Sequence, residues 1–251
     1  MLGRDDLMRI AKLHNLRPWQ QEKHYIQSLI LLSLAEHPLV FKGDTYLWMH
    51  HGLKRFSEDL DFTTNGKLPK DLGARVSADL LLFGITNKLK LLDRLADSYS
   101  FRISAQGPLF TSEIDLCHVY VEISEREKIV NPPLSLRVHF DAYALPTKIL
   151  SGMRLEEVAA EKVRAICTRD KARDLYDLQF LVRQKNIRPQ IALIDEKMRY
   201  YDSNFSLKLF KKKVGEKKTL WKKELGGLLF DDLPDFTISS KSVCDWADAL
   251  E

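Results

Sequence analysis

The feature that most constrains this chain is a pair of carboxylates, Asp59 and Asp61, of which the first follows Gly43 by sixteen residues. Residues 55–62, RFSEDLDF, have the alternating character of a strand. On a strand, Asp59 and Asp61 project from one face about 6.5–7 Å apart, while Leu60 and Phe62 point to the other, into a core. Carboxylates whose flexible ends come within about 5 Å repel by about 3 kcal/mol at an effective dielectric near 20. A divalent cation of the Mg²⁺ type offsets that, because it takes carboxylate and phosphate oxygens as ligands. The plainer reading of a bare DxD is a solvated acidic strand edge.

The residues upstream sharpen the choice. Residues 18–36 read as a helix, with Pro18 in its first turn and Tyr25, Ile26, Leu29 and Ile30 on a buried face. Residues 38–41 read as a strand running into Lys42-Gly43-Asp44-Thr45, and a helix is expected from Tyr46 to about Leu53. A glycine at a strand-to-helix turn lets backbone approach a phosphate, and the helix N-terminus offers free N–H groups. Thr45 adds a hydroxyl donor. Strand, bend, helix and DxD strand would then place a phosphate cradle and metal ligands in one cleft. Asp44 is a good helix N-cap. It is also a negative charge beside the cradle, costing about 3 kcal/mol of binding at about 5 Å. It turns away, helps hold metal, or weakens triphosphate binding. Ser57 is a small polar strand residue, a phosphate contact, or a phospho-acceptor whose charge of about −2 would block metal.

Composition sets the bounds. The 251 residues are 45% hydrophobic and 29% charged, which fits a folded soluble protein and excludes disorder or coiled coil as the main architecture. The net charge of +4 is too small to argue for nucleic acid. Residues 211–223, KKKVGEKKTLWKK, concentrate seven lysines against one glutamate. That segment is either a solvated helix face or a track for an RNA backbone, with Trp221 stacking a base. Cys117, Cys167 and Cys244 lack CxxC spacing, which fits a reducing cytoplasm. No signal peptide is evident at the N-terminus, and no apolar run approaches the ~20 residues that cross a membrane.

Residues 70–98 read as helix-rich. Residues 100–105, 113–124 and 134–143 read as three antiparallel strands, the second with Ile114, Leu116, His118, Tyr120 and Glu122 on one face. Pro146 and Gly152 punctuate the chain, placing a domain boundary near 150. Helices are expected over 155–168 and 172–184, then to the end. His50 and His51 face different directions on a helix, so a zinc site is not expected.

Three stretches resemble one family. FKGDTYLWMHHGLKRFSEDLDF, residues 41–62, is similar to the FKGGTxL…RFSEDLDF signature of the nucleotidyltransferase AbiEii/AbiGii toxins, and RFSEDLDF matches throughout. The helix before it, EKHYIQSLILLSLAEHPLVFKG, resembles the family too. So does LEEVAAEKVRAICTRDKARDLYDLQFL, residues 155–181, against a pattern LEELLAEKLRAL…R…K.RDLYDL. Residues 67–112 and 185–251 resemble it less. The family usually has Gly or Ser where this chain has Asp44.

The resemblance implies an α+β fold: a polymerase-β-like nucleotidyltransferase core with a mixed sheet over 1–150, followed by a helical domain over 151–251 that completes the active-site cleft. It implies a nucleoside triphosphate substrate, Mg²⁺ or Mn²⁺, an RNA acceptor such as a tRNA 3′ end, and a cognate antitoxin. By motif, Asp59 and Asp61 are metal ligands, and Lys162 and Asp174 close the site. Two-metal nucleotidyl transfer usually needs a third carboxylate. Glu122 is the first choice and Asp141 the second, with an ordinary surface role the plain reading of Glu122. Lys162, beside the stripe of Val158, Ala159, Val163 and Ile166, neutralises triphosphate or merely snorkels. An Arg173–Asp177 pair spaced i,i+4 is the plain reading of the second helix. The sharper one has Lys171 or Arg173 orienting phosphate while Asp174 positions Lys162 or the acceptor hydroxyl. The expected protein is a metal-dependent nucleotidyltransferase toxin acting on RNA. The alternatives are a catalytically weak nucleotide- or RNA-binding regulator and a small-molecule nucleotidyltransferase.

Overall fold

Strand-period and helix-period segments sort into two units in a computed structural model that describes residues 2–95 and 97–250. The first unit comprises Met1–Tyr46, Glu58–Lys128 and Pro133–Gly152; the second comprises Leu47–Ser57, Ile129–Pro132 and Met153–Glu251.

The chain opens with α1 (Arg4–Leu13) and α2 (Pro18–Leu34), whose proline stands at the start where its missing N–H costs nothing. β1 (Leu39–Lys42) turns directly into α3 (Gly43–His51), and β2 (Leu60–Thr64) follows. Next come α4 (Leu72–Leu82), β3 (Asn87–Leu95), β4 (Ser98–Ala105) and β5 (Cys117–Ser124). β6 (Leu134–Val138) and β7 (Lys148–Gly152) close the unit. The described strands form one mixed sheet in the order β3-β4-β5-β2-β1-β7-β6. β2–β5 and β1–β7 are parallel; the other neighbours are antiparallel. Leu60, Phe62, Phe101, Ile103, Val121 and Ile123 are buried on one face. On that side α2 packs over β5 and α4 over β3. Each such side chain contributes about 1.5–3 kcal/mol when fully buried.

Four expectations need correction. The strand anticipated over 55–62 begins only at Leu60, so Asp59 stands just ahead of it rather than within it. The third helix starts at Gly43, not Tyr46. The helix-rich stretch 70–98 contains the edge strand β3, where Lys88 and Lys90 alternate with Leu89 and Leu91. The three antiparallel strands are not neighbours: β6 pairs with β7 at the opposite edge from β4 and β5, and Ile114 lies exposed in a 3₁₀ turn before β5.

The second unit packs α5 (Leu155–Thr168), α6 (Ala172–Gln184), α7 (Ile191–Arg199), α8 (Leu207–Glu216), α9 (Lys218–Leu225) and α10 (Phe236–Asp248). Residues 47–57 belong to it through backbone pairing. Phe56 N–H donates to Leu228 C=O at 2.8 Å, and Phe230 N–H to Lys54 C=O at 3.2 Å. In the Lys-rich segment Lys218, Lys222 and Lys223 are exposed, but the tryptophan expected to stack a base is not. Trp221 is only 4% exposed and its indole N–H donates to Pro234 C=O at 2.9 Å. Lys217 is buried against Asp170, and Lys211 and Lys213 pair with Asp248 and Glu216. No helix of the described residues is long and apolar enough to cross a membrane.

Candidate active site

The candidate site in the first unit is set by strand register. Asp61 sits opposite Lys42 of β1 on one side and Glu122 of β5 on the other. Partners in register project to the same face, so Asp61 and Glu122 stand side by side on the face away from Leu60 and Phe62. Asp59 is exposed just before β2, and the hydroxyl of buried Thr45 donates to its backbone carbonyl, fixing that approach. Thr45 therefore points at Asp59 rather than out toward a phosphate, unlike the expectation. Lys23 holds the neighbouring Glu58 at 2.5 Å.

Gly43 is required twice over. Its φ is +75°, in the left-handed region. A methyl group there would also overlap the Asp61 side chain, with Cβ and Cγ both 2.9 Å away. The bend thus lies directly against the second carboxylate, joining the glycine turn and the DxD end as one local structure. Asp44 follows in the first turn of α3, at its positive dipole end.

Electrostatics at Asp61 follow from this crowding. Burial, then the carboxylates of Asp44, Glu122 and Asp59, push its pKa from 3.8 up to about 7. Lys42 offsets little, because its ammonium is committed to Glu127 at 2.7 Å. Among the described residues, neither Asp61 nor Glu122 has a side-chain hydrogen bond or ion pair. A set of hard carboxylate oxygens under mutual repulsion fits a Mg²⁺- or Mn²⁺-type ion. Asp141 does not join this set. It lies past β6, three strand positions from β2, and bonds His139 at 2.5 Å.

The second unit holds its carboxylates differently. Lys162 Nζ, on α5, lies 3.1 Å from Asp174 and 2.6 Å from Asp177, both on α6. Arg55 donates two bonds of 2.7 Å to Asp177, and both residues are fully buried. Arg169 makes the same forked contact to Asp174 with two 2.8 Å bonds. Sequence reasoning did not single out Arg55, Arg169 or the buried role of Asp177. The signal available was that Arg55 and Asp177 each sit inside a quoted motif. The i,i+4 pair expected between Arg173 and Asp177 is not formed, since Arg55 and Lys162 occupy that carboxylate. Lys171 is exposed just before α6, and Arg173 is half-exposed in its first turn. Ser57, expected on one strand face with Asp59, is buried and lies outside β2. His50 and His51 are pushed down to about 4 by burial, keeping both rings neutral near pH 7.

A mixed sheet bearing adjacent carboxylates, with helices C-terminal to it, is the architecture of a nucleotidyltransferase core. The same fold is found in MenT4, nucleotidyltransferase toxin Rv2826c from Mycobacterium tuberculosis H37Rv. The TM-score is 0.65 at 19% identity, covering 100% of this chain and 90% of that one. JHP933 from Helicobacter pylori is similar at a TM-score of 0.62 and 22% identity, covering 92% and 91%. No curated protein matches the sequence. Residues 25–250 match the family described as nucleotidyl transferase AbiEii toxin, type IV toxin–antitoxin system. The chain belongs to that family, and its enzyme class is nucleotidyltransferase.

Proposed function

We propose that this protein is a divalent-metal-dependent toxin that transfers a nucleoside monophosphate from an NTP to an RNA acceptor, with tRNA the acceptor to test first. The observation that carries the proposal is the in-register Asp61–Glu122 pair set against the Gly43 bend. Asp59, Asp61 and Glu122 would hold Mg²⁺ or Mn²⁺, which supplies charge neutralisation to the attacking and leaving oxygens. The Gly43 turn and the N–H groups opening α3 would bind phosphate oxygens. In the transfer, the acceptor hydroxyl forms a bond to the α-phosphorus, the bridging P–O bond breaks, pyrophosphate leaves and the hydroxyl proton is released.

Lys162, Asp174, Lys171 and Arg173 enter the proposal through the family motif. Lys162 and Arg173 would bind triphosphate, and Asp174 would orient Lys162, a role supported by their 3.1 Å contact. Lys171 is a further phosphate contact. Ser57 and Thr45 are given no phosphate, because one is buried and the other holds Asp59. A cognate antitoxin and a cytoplasmic setting complete the reading, the latter supported by three free cysteines.

Asp44 favours a second reading. Its charge at the cradle opposes phosphate, as a regulator that binds nucleotide without transferring it would show. Incubation with each labelled NTP, Mg²⁺ and total tRNA decides between them, with Asp59→Ala as control. Label on tRNA that disappears in the control supports transfer to RNA. Nucleotide binding with no transfer supports the regulator, and label on a small molecule moves the acceptor to another class.

A further inference from the structure

The sheet face that carries Asp61 and Glu122 continues across β5, β4 and β3, and register lays out its side chains in rows. The first row is Asp61, Glu122 and Ser100. The next is Tyr120, Arg102 and Lys90, and the third is His118, Ser104 and Lys88. Rows on one face lie about 6.5–7 Å apart, comparable with one step of an extended nucleic-acid strand. On the reverse face, Phe101, Ile103, Val119 and Val121 of β4 and β5 are fully buried.

The second and third rows differ. In the third, Lys88 is taken by Glu113 at 2.9 Å, and His118 shares a 2.9 Å hydrogen bond with Ser104. In the second, Lys90 is exposed and has no ion pair among the described residues. The Arg102 guanidinium lies 5.9 Å from the centre of the Tyr120 ring, and its Nε is shielded from solvent with no hydrogen-bond partner. A half-exposed aromatic ring backed by a guanidinium stacks a base, and open cations beside it bind phosphate.

We infer that the Tyr120–Arg102–Lys90 row is the track for the acceptor: the single-stranded end of an RNA, one base on Tyr120 and its phosphates on Arg102 and Lys90. This rests on the proposed transfer to RNA and adds where the acceptor lies. The strand end would then reach the neighbouring row, where Asp61 and Glu122 stand. An NTP shares this chemistry, so the test separates the two sources.

The test is fluorescence anisotropy of the full chain with a short labelled single-stranded RNA, without NTP, beside thermal shift with NTP and Mg²⁺. Tyr120→Ala and Arg102→Gln should each weaken RNA binding about tenfold. Tyr120→Phe should bind as the parent does, and Arg102→Gln should lower the salt slope by about one. NTP-induced shifts should stay unchanged in all three. The inference is overturned if the parent binds no RNA, if the alanine and glutamine variants bind within about twofold of it, or if NTP binding falls in step with RNA binding. The transfer reading fails separately, when the parent chain labels no acceptor at all.

Discussion

Asp61 and Asp177 are the same residue type in opposite settings. Asp177 is fully buried and held by two bonds from Arg55 and one ion pair to Lys162. Asp61 has three other carboxylates acting on it, and the one cation facing it is committed to Glu127. A buried carboxylate supplied with partners by the fold is scaffold, and removing a partner strands a charge. A carboxylate crowded by its own kind is held in that state by the rest of the structure, and its balance comes from something the chain does not encode. Asp177 is fully buried and Asp61 half-buried, but what sets their behaviour apart is the sign of the neighbours.

The largest expected effect breaks the paired side. Arg55→Met should cost about 3–5 kcal/mol by leaving Asp177 undercompensated, read as a fall in Tm or denaturant midpoint. A cost below about 1 kcal/mol would mean the pair is not the keystone described. On the crowded side, Asp59→Ala should leave Tm nearly unchanged yet lower nucleotidyl transfer at least about a hundredfold, or roughly 2.7 kcal/mol. Equal losses of stability and activity would erase the contrast.

Gly43→Ala should cost roughly 1–2 kcal/mol for the left-handed backbone alone, with more from overlap with Asp61, and should lower transfer as well. Asp61→Asn should do the reverse to stability while abolishing transfer. Without metal it should gain about 1 kcal/mol, roughly 2–4 °C in Tm. The gain should be full above about pH 7 and fade toward 3.8, because folded Asp61 takes up a proton at a higher pH than the unfolded chain does. A gain at low pH only would reverse the assignment. The smallest effect is a control outside both clusters. Lys222→Gln with Lys223→Gln should change stability by under about 0.5 kcal/mol in thermal melts.

Helices with long apolar stripes were legible: 155–168 and 172–184 appear as read, because burial of a periodic face dominates their energetics. β3 was misread because an edge strand exposes much of its surface, so its alternation of lysine and leucine competes with a helical pattern. β7 was missed because a five-residue strand of mixed polarity carries little local signal.

By itself the sequence determined that a glycine bend and two spaced carboxylates lie on one local β–α–β segment, since backbone geometry over twenty residues is short-range. It also determined the family, through motifs that survive as strings. Tertiary structure alone decided that Glu122 rather than Asp141 stands beside Asp61, since strand order places β5 next to β2 and β6 at the far edge. It likewise decided that Arg55 leaves the strand read for it and buries itself against Asp177, 122 residues away. Pairings at that separation depend on which partner can satisfy a charge once water is gone, and no local pattern records them.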